Sequence, residues 1–88
     1  MARTFQATLT LTRQGQRSVG RVPLDDDVVS ELGLRPGESV KASLRNNEFI
    51  GRVHGSPSSP GLLIPIEIIT KLGLREGQGV KVSVHGRP

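Results

Sequence analysis

Seven basic side chains carry the most suggestive chemistry in this sequence. Arg13, Arg17 and Arg21 fall on a loop and the strand after it, where they could form a basic stripe. Arg45 and Arg52, with His54, flank a hairpin, and Lys41 and Lys81 occupy matching positions in two similar segments. Cations spread in this way suit phosphates. Each Lys or Arg contact to nucleic acid releases counterions and gives affinity that falls with salt. The overall balance points the same way: 12 Lys and Arg face 8 Asp and Glu, a net charge of +4. A basic balance favours anionic partners without specifying a fold. Such a spread could track the phosphates of a nucleic acid.

Other reactive residues are sparse. His54 and His85 are the two histidines, there is no cysteine, and no His-x-His or His-Glu-x-x-His spacing occurs, so no metal site is expected. Asp25-Asp26-Asp27 could chelate a cation, but capping a helix explains the cluster more simply. No nucleophile–base pair, paired carboxylates or glycine-rich phosphate loop before a long helix can be assembled. The expectation is a non-enzymatic protein that needs no cofactor. Without cysteine there is no disulfide framework. No apolar run approaches the roughly 20 residues of a membrane helix. Met1 through Phe5 lacks the long apolar core of a signal peptide, so a cytoplasmic location and no membrane partner are expected.

The elements that must hold these cations are organised by an internal repeat. Leu32-Gly33-Leu34-Arg35-Pro36-Gly37-Glu38-Ser39-Val40-Lys41-Ala42-Ser43-Leu44 lies over Leu72-Gly73-Leu74-Arg75-Glu76-Gly77-Gln78-Gly79-Val80-Lys81-Val82-Ser83-Val84 without a gap. Upstream, Val22-Pro23-Leu24 matches Ile64-Pro65-Ile66 once two residues are allowed for in the first copy. Each copy reads as a short apolar strand, a short helix and an alternating strand. Asp25 or Asp26 can cap the first helix, and Val28, Val29 and Leu32 face inward. Glu67 opens the second helix, with Ile68, Ile69 and Leu72 on its buried side. Gly33 and Gly73 end the helices in a left-handed conformation. In the strands that follow, Val40, Ala42 and Leu44 oppose Lys41 and Ser43, and Val80, Val82 and Val84 oppose Lys81 and Ser83.

The remaining segments are also strand-like. Phe5, Ala7, Leu9 and Leu11 share a face opposite Gln6, Thr8, Thr10 and Thr12. Arg13 through Arg17 reads as a glycine-containing loop, and Asn46-Asn47 as a hairpin turn. Phe49, Gly51 and Val53 oppose Ile50, Arg52 and His54. Gly55-Ser56-Pro57-Ser58-Ser59-Pro60-Gly61 has the composition of a linker or surface loop. The expectation is a single mainly β domain over residues 1–88. An N-terminal strand at about 4–12 precedes repeats at about 18–54 and 61–85. Six to seven strands and two short helices would form a small closed β-barrel with a pseudo-twofold axis, which leaves no free sheet edge.

Gly61-Leu62-Leu63-Ile64-Pro65-Ile66-Glu67 through Leu72-Gly73-Leu74-Arg75-Glu76-Gly77 resembles the core motif of the AbrB/SpoVT family of swapped-hairpin barrels. The first copy, from Gly20 to Val53, resembles the same unit with its hairpin included. From Phe5-Gln6-Ala7-Thr8-Leu9 to the last strand, the chain is also similar to a small bacterial family of unknown function akin to the YdeI/OmpD-associated proteins. The AbrB-like resemblance implies a swapped-hairpin or double-psi-like barrel acting as a DNA-binding transcription regulator. In that family the helix carries basic residues after Pro-Ile-Glu-Leu. Here Ile69 and Thr70 stand there with Lys71 nearby, and the first helix holds Asp25, Asp26, Asp27 and Glu31. DNA contacts would therefore fall to Arg13, Arg17, Arg21, Lys41, Arg45, Arg52 and Lys81. Two units in one chain allow a monomer; a homodimer swapped about the Gly55–Gly61 segment is the other arrangement. The alternative to DNA binding is a non-enzymatic barrel module for a protein or small ligand, or an engineered repeat barrel.

Overall fold

The computed structural model describes residues 3–56 and 58–87. Met1, Ala2, Pro88 and Pro57 of the Ser/Pro segment lie outside them. Alternating apolar residues make seven strands: β1 Arg3–Thr8, β2 Thr10–Gln14, β3 Arg17–Pro23, β4 Ser39–Leu44, β5 Asn47–Ser56, β6 Ser59–Ile64 and β7 Gly79–Gly86. Two short helices, α1 Asp26–Leu32 and α2 Ile66–Leu72, follow β3 and β6. The strands form one antiparallel sheet in the order β1-β7-β4-β5-β6-β3-β2. Among the described residues no helix is long and apolar enough to cross a membrane.

The sheet curls into a half-barrel, and the closed barrel expected from the sequence is not formed. β1 and β2 carry its two edges and do not pair with each other. Leu9 lies between these two edge strands. The Leu9 N–H donates to the Gln78 carbonyl at 2.8 Å, and the Leu9 carbonyl accepts the Gly77 N–H at 2.8 Å. Residues 3–14 run as two strands, one paired with β7 and the other with β3.

The two copies match without any gap. The helices are bounded by Asp25 and Gly33 in one and by Pro65 and Gly73 in the other. The Leu34 N–H reaches the Val29 carbonyl at 3.1 Å, as Leu74 reaches Ile69 at 3.0 Å. The Arg35 N–H meets the Glu38 Oε1 at 2.7 Å, and the Arg75 N–H meets the Gln78 Oε1 at 3.0 Å. Continued upstream, this register sets Val22 over Leu62 and Leu24 over Ile64, all four buried. The two-residue allowance read from the prolines is thus corrected. Pro23 ends β3, whereas Pro65 stands at the N-cap of α2, so the two prolines are not equivalent. At the first helix the cap is Asp25, whose carboxylate accepts the Asp27 N–H at 2.9 Å.

The N-terminal strands complete the second copy. Val53 of β5 bonds Gly37 and Glu38 at 2.7 and 2.8 Å, as Leu9 bonds Gly77 and Gln78. Phe49 pairs with Ala42 on β4, and Phe5 pairs with the equivalent Val82 on β7. β1 and β2 together thus stand to β7 and β3 as β5 stands to β4 and β6. The inner face is aliphatic: Leu9, Val22, Val40, Val53, Leu62, Ile64, Val82 and Val84 are fully enclosed, with the two phenylalanines at the rim of the same core.

Two turns differ from their expected positions. The β4–β5 hairpin turns at Arg45-Asn46, with φ of 48° and 65°, rather than at Asn46-Asn47. Asn47 instead donates its side-chain amide to the carbonyls of Leu44 and Arg45, at 3.3 and 2.9 Å. The Ser/Pro segment is drawn into a hairpin, because Gly55 pairs with Pro60 and Ser56 with Ser59. Between β2 and β3 only Gly15-Gln16 remains outside the strands.

Leu9 is fully buried and holds the junction of β1 and β2. Leu9→Ala is expected to cost about 2–5 kcal/mol, measured by urea denaturation. A loss below about 1 kcal/mol, well under the usual cavity cost, would show that this junction does not anchor the sheet.

Candidate nucleic-acid interface

Alternation sends every second strand residue to the outer face, and antiparallel pairing sets partners side by side. On β3 the outer residues are Arg17, Val19 and Arg21. Arg21 pairs with Leu63 on β6, and Leu63 pairs with Arg52 on β5. Arg21, Leu63 and Arg52 thus form one row, with the arginine backbones about 10 Å apart across two strand spacings. Arg17 and Arg52 line one open groove whose floor is Val19, Ile50, Leu63 and Pro65. Neither arginine forms an ion pair among the described residues. The outer positions of β3, of β6 and of β5 from Ile50 onward hold no carboxylate.

Arg21 is the most constrained of the three. It is half-buried, and its Nη2 donates to the Ser59 carbonyl at 3.3 Å. Its guanidinium lies flat against Gly61, where a Cβ would come within 2.6 Å of it. Glycine at 61 is what lets the planar group lie on the sheet.

The other candidates lie elsewhere. Arg13 pairs with Ser18 on the core-side parity of β2, so it does not extend the Arg17–Arg21 stripe. The two-residue turn between β2 and β3 sets Gln14, not Arg13, opposite Arg17. Lys41 on β4 is paired with Glu48 at 3.7 Å. Arg45 sits in the hairpin turn and donates from Nη1 to the Leu72 carbonyl at 3.4 Å. Lys81 is exposed on β7 and shares a cleft with Arg45. The seven cations therefore divide into Arg17, Arg21 and Arg52 on one stretch of the outer face, with Lys41 at its border opposite Ile50, Arg45 and Lys81 at a separate cleft, and Arg13 apart.

His85 does not join His54; its Nε2 lies 3.1 Å from the Ser43 Oγ. Among the described residues no three His, Asp or Glu side chains gather into a metal-binding group. The groove residues that sequence reasoning did not select are Val19, Ile50 and Leu63. Ile50 gave the available signal: it is the apolar member of the polar face of β5 and is half exposed, at 51%.

One carboxyl is electrostatically set. The Arg87 Nε donates to the Glu38 Oε2 at 2.9 Å and holds that carboxyl below the ordinary carboxylate range. Desolvation opposes this shift, and the Arg35 N–H adds to it. A carboxyl lowered in the folded state stabilises the fold above its ordinary pKa, and this contribution is lost as pH falls through the folded value.

Comparison with protein-family models, curated proteins and solved structures gives no match to this chain. The functional reading therefore rests on the geometry above and on the motif in the sequence.

Arg87→Ala is expected to raise the Glu38 pKa toward the ordinary carboxylate value, read by carbon-detected NMR titration of the side-chain carboxyl. An unchanged pKa would show that Arg87 does not set it.

Proposed function

We propose that this protein is a non-enzymatic DNA-binding module, a transcription regulator of the AbrB-like kind, that meets the phosphate backbone through Arg17, Arg21 and Arg52. The observation that supports this reading is the carboxylate-free outer face of β3, β6 and the second half of β5, which carries all three. Arg17 and Arg52 are exposed and unpaired among the described residues, so binding a phosphate does not require an existing ion pair to break. Arg21 is already ordered against Gly61 and loses little freedom on contact. Thr10 and Thr12 on β2 flank the row with neutral hydroxyls. The repeated Leu-Gly-Leu-Arg turn supports the family reading, and the arginines of this face take the place of the basic helix residues that the family uses.

A second reading has its own support. The groove floor is apolar, with Val19, Ile50, Leu63 and Pro65 between the arginines. Such a floor suits a protein or small-ligand partner with an acidic rim and an aliphatic centre.

Fluorescence anisotropy against mixed-sequence duplex at two salt concentrations separates the readings. Three phosphate contacts predict affinity about 40-fold weaker at about 200 mM salt than at about 50 mM. The double variant Arg17→Ala/Arg52→Ala is expected to lower the slope of log affinity against log salt by about 1.8. No binding at the lower salt would overturn the DNA reading and leave the second one.

A further inference from the structure

The internal repeat offers a comparison within the molecule, because each surface feature of one copy can be checked against its counterpart. β4 and β7 pair about the repeat's own axis, where Ser43 faces Ser83. To one side of this pair lies a cleft of about 310 Å³ lined by Ser43, Arg45, Asn46, Gly79, Lys81 and Ser83. The counterpart region on the other side holds His85, Gly86, Ser39 and Lys41 at the equivalent positions.

Among the differences between the two sides, three make the cleft more receptive to an anion. Lys41 is neutralised by Glu48 at 3.7 Å, whereas the position beside Lys81 that matches Glu48 is Thr4. Thr4 instead exchanges a 2.9 Å hydrogen bond with Ser83. Arg45, a permanent cation, stands where the other side has His85. Gly79 stands where the other side has Ser39, and a Cβ added at Gly79 would meet nothing within 4 Å, so the cleft is open there. Arg45 is held at its rim by its bond to the Leu72 carbonyl. The cleft thus brings together a guanidinium, an ammonium and serine hydroxyls, with no carboxylate among its lining residues.

We infer that this cleft is a binding site for a phosphate group, with Lys81 and Arg45 supplying charge and the hydroxyls of Ser43 and Ser83, which also bond His85 and Thr4, lining it. It lies apart from the Arg17–Arg21–Arg52 face and does not rest on the DNA reading. The phosphate can belong to a free small anion or to a nucleic-acid backbone, since the recognising chemistry is the same.

Calorimetric titration with inorganic phosphate, against sodium chloride at matched ionic strength, tests the site in the full chain. Saturable phosphate binding is expected, weakened about tenfold or more by Lys81→Gln or Arg45→Gln and unchanged by Lys41→Gln. Thr4→Glu gives Lys81 the carboxylate neighbour that Lys41 has, and is expected to abolish binding. It also serves if Arg45→Gln disturbs the hairpin. Binding no stronger than in chloride, or Lys41→Gln as damaging as Lys81→Gln, would overturn the site. Duplex anisotropy with Lys81→Gln then identifies the source. An affinity that falls with the phosphate affinity assigns the site to nucleic acid, and one that does not assigns it to a free anion; both outcomes uphold the site.

Discussion

The fold depends on a two-bond clasp that occurs twice. Val53 exchanges backbone hydrogen bonds with Gly37 and Glu38, and Leu9 does so with Gly77 and Gln78. In each case a buried aliphatic residue, Val53 within β5 and Leu9 between β1 and β2, grips the turn that precedes β4 or β7. The clasp at Val53 is local, since β5 follows β4 directly. The clasp at Leu9 joins opposite ends of the chain, because β1 and β2 begin it and β7 ends it. The second copy is therefore finished by the N-terminal strands.

Much of this was legible in the sequence. Strict alternation identified β1, β4, β5 and β7, and the repeated Leu-Gly-Leu fixed both helix ends, because αL glycines must close them. The open sheet was not legible, because nothing in Thr8-Leu9-Thr10 marks the break between β1 and β2. The register before the helices was misread for a chemical reason. Pro23 and Pro65 look alike, but one ends a strand and the other caps a helix, and proline tolerates both places. The Ser/Pro segment has linker composition, yet strand pairing on both sides draws it into a hairpin.

The candidate site was legible as residue types but not as a constellation. Arg17, Arg21 and Arg52 are far apart in the chain, and only the position of β6 between β3 and β5 sets them in one neighbourhood. Arg13 was excluded by a single residue of turn length, which moved it to the other face. The asymmetry between Lys41 and Lys81 was also hidden. It depends on Glu48 and Thr4 being equivalent, and that equivalence exists only because the N-terminal strand completes the second copy.

Chemical-shift mapping of the labelled protein with short duplex DNA tests most directly the claim that the outer face of β3, β6 and β5 meets the phosphate backbone. Amide shifts are expected to concentrate at residues 17–21, 50–54 and 61–63. Shifts confined to the helices or to the N-terminal edge, or no shifts at low salt, would contradict it.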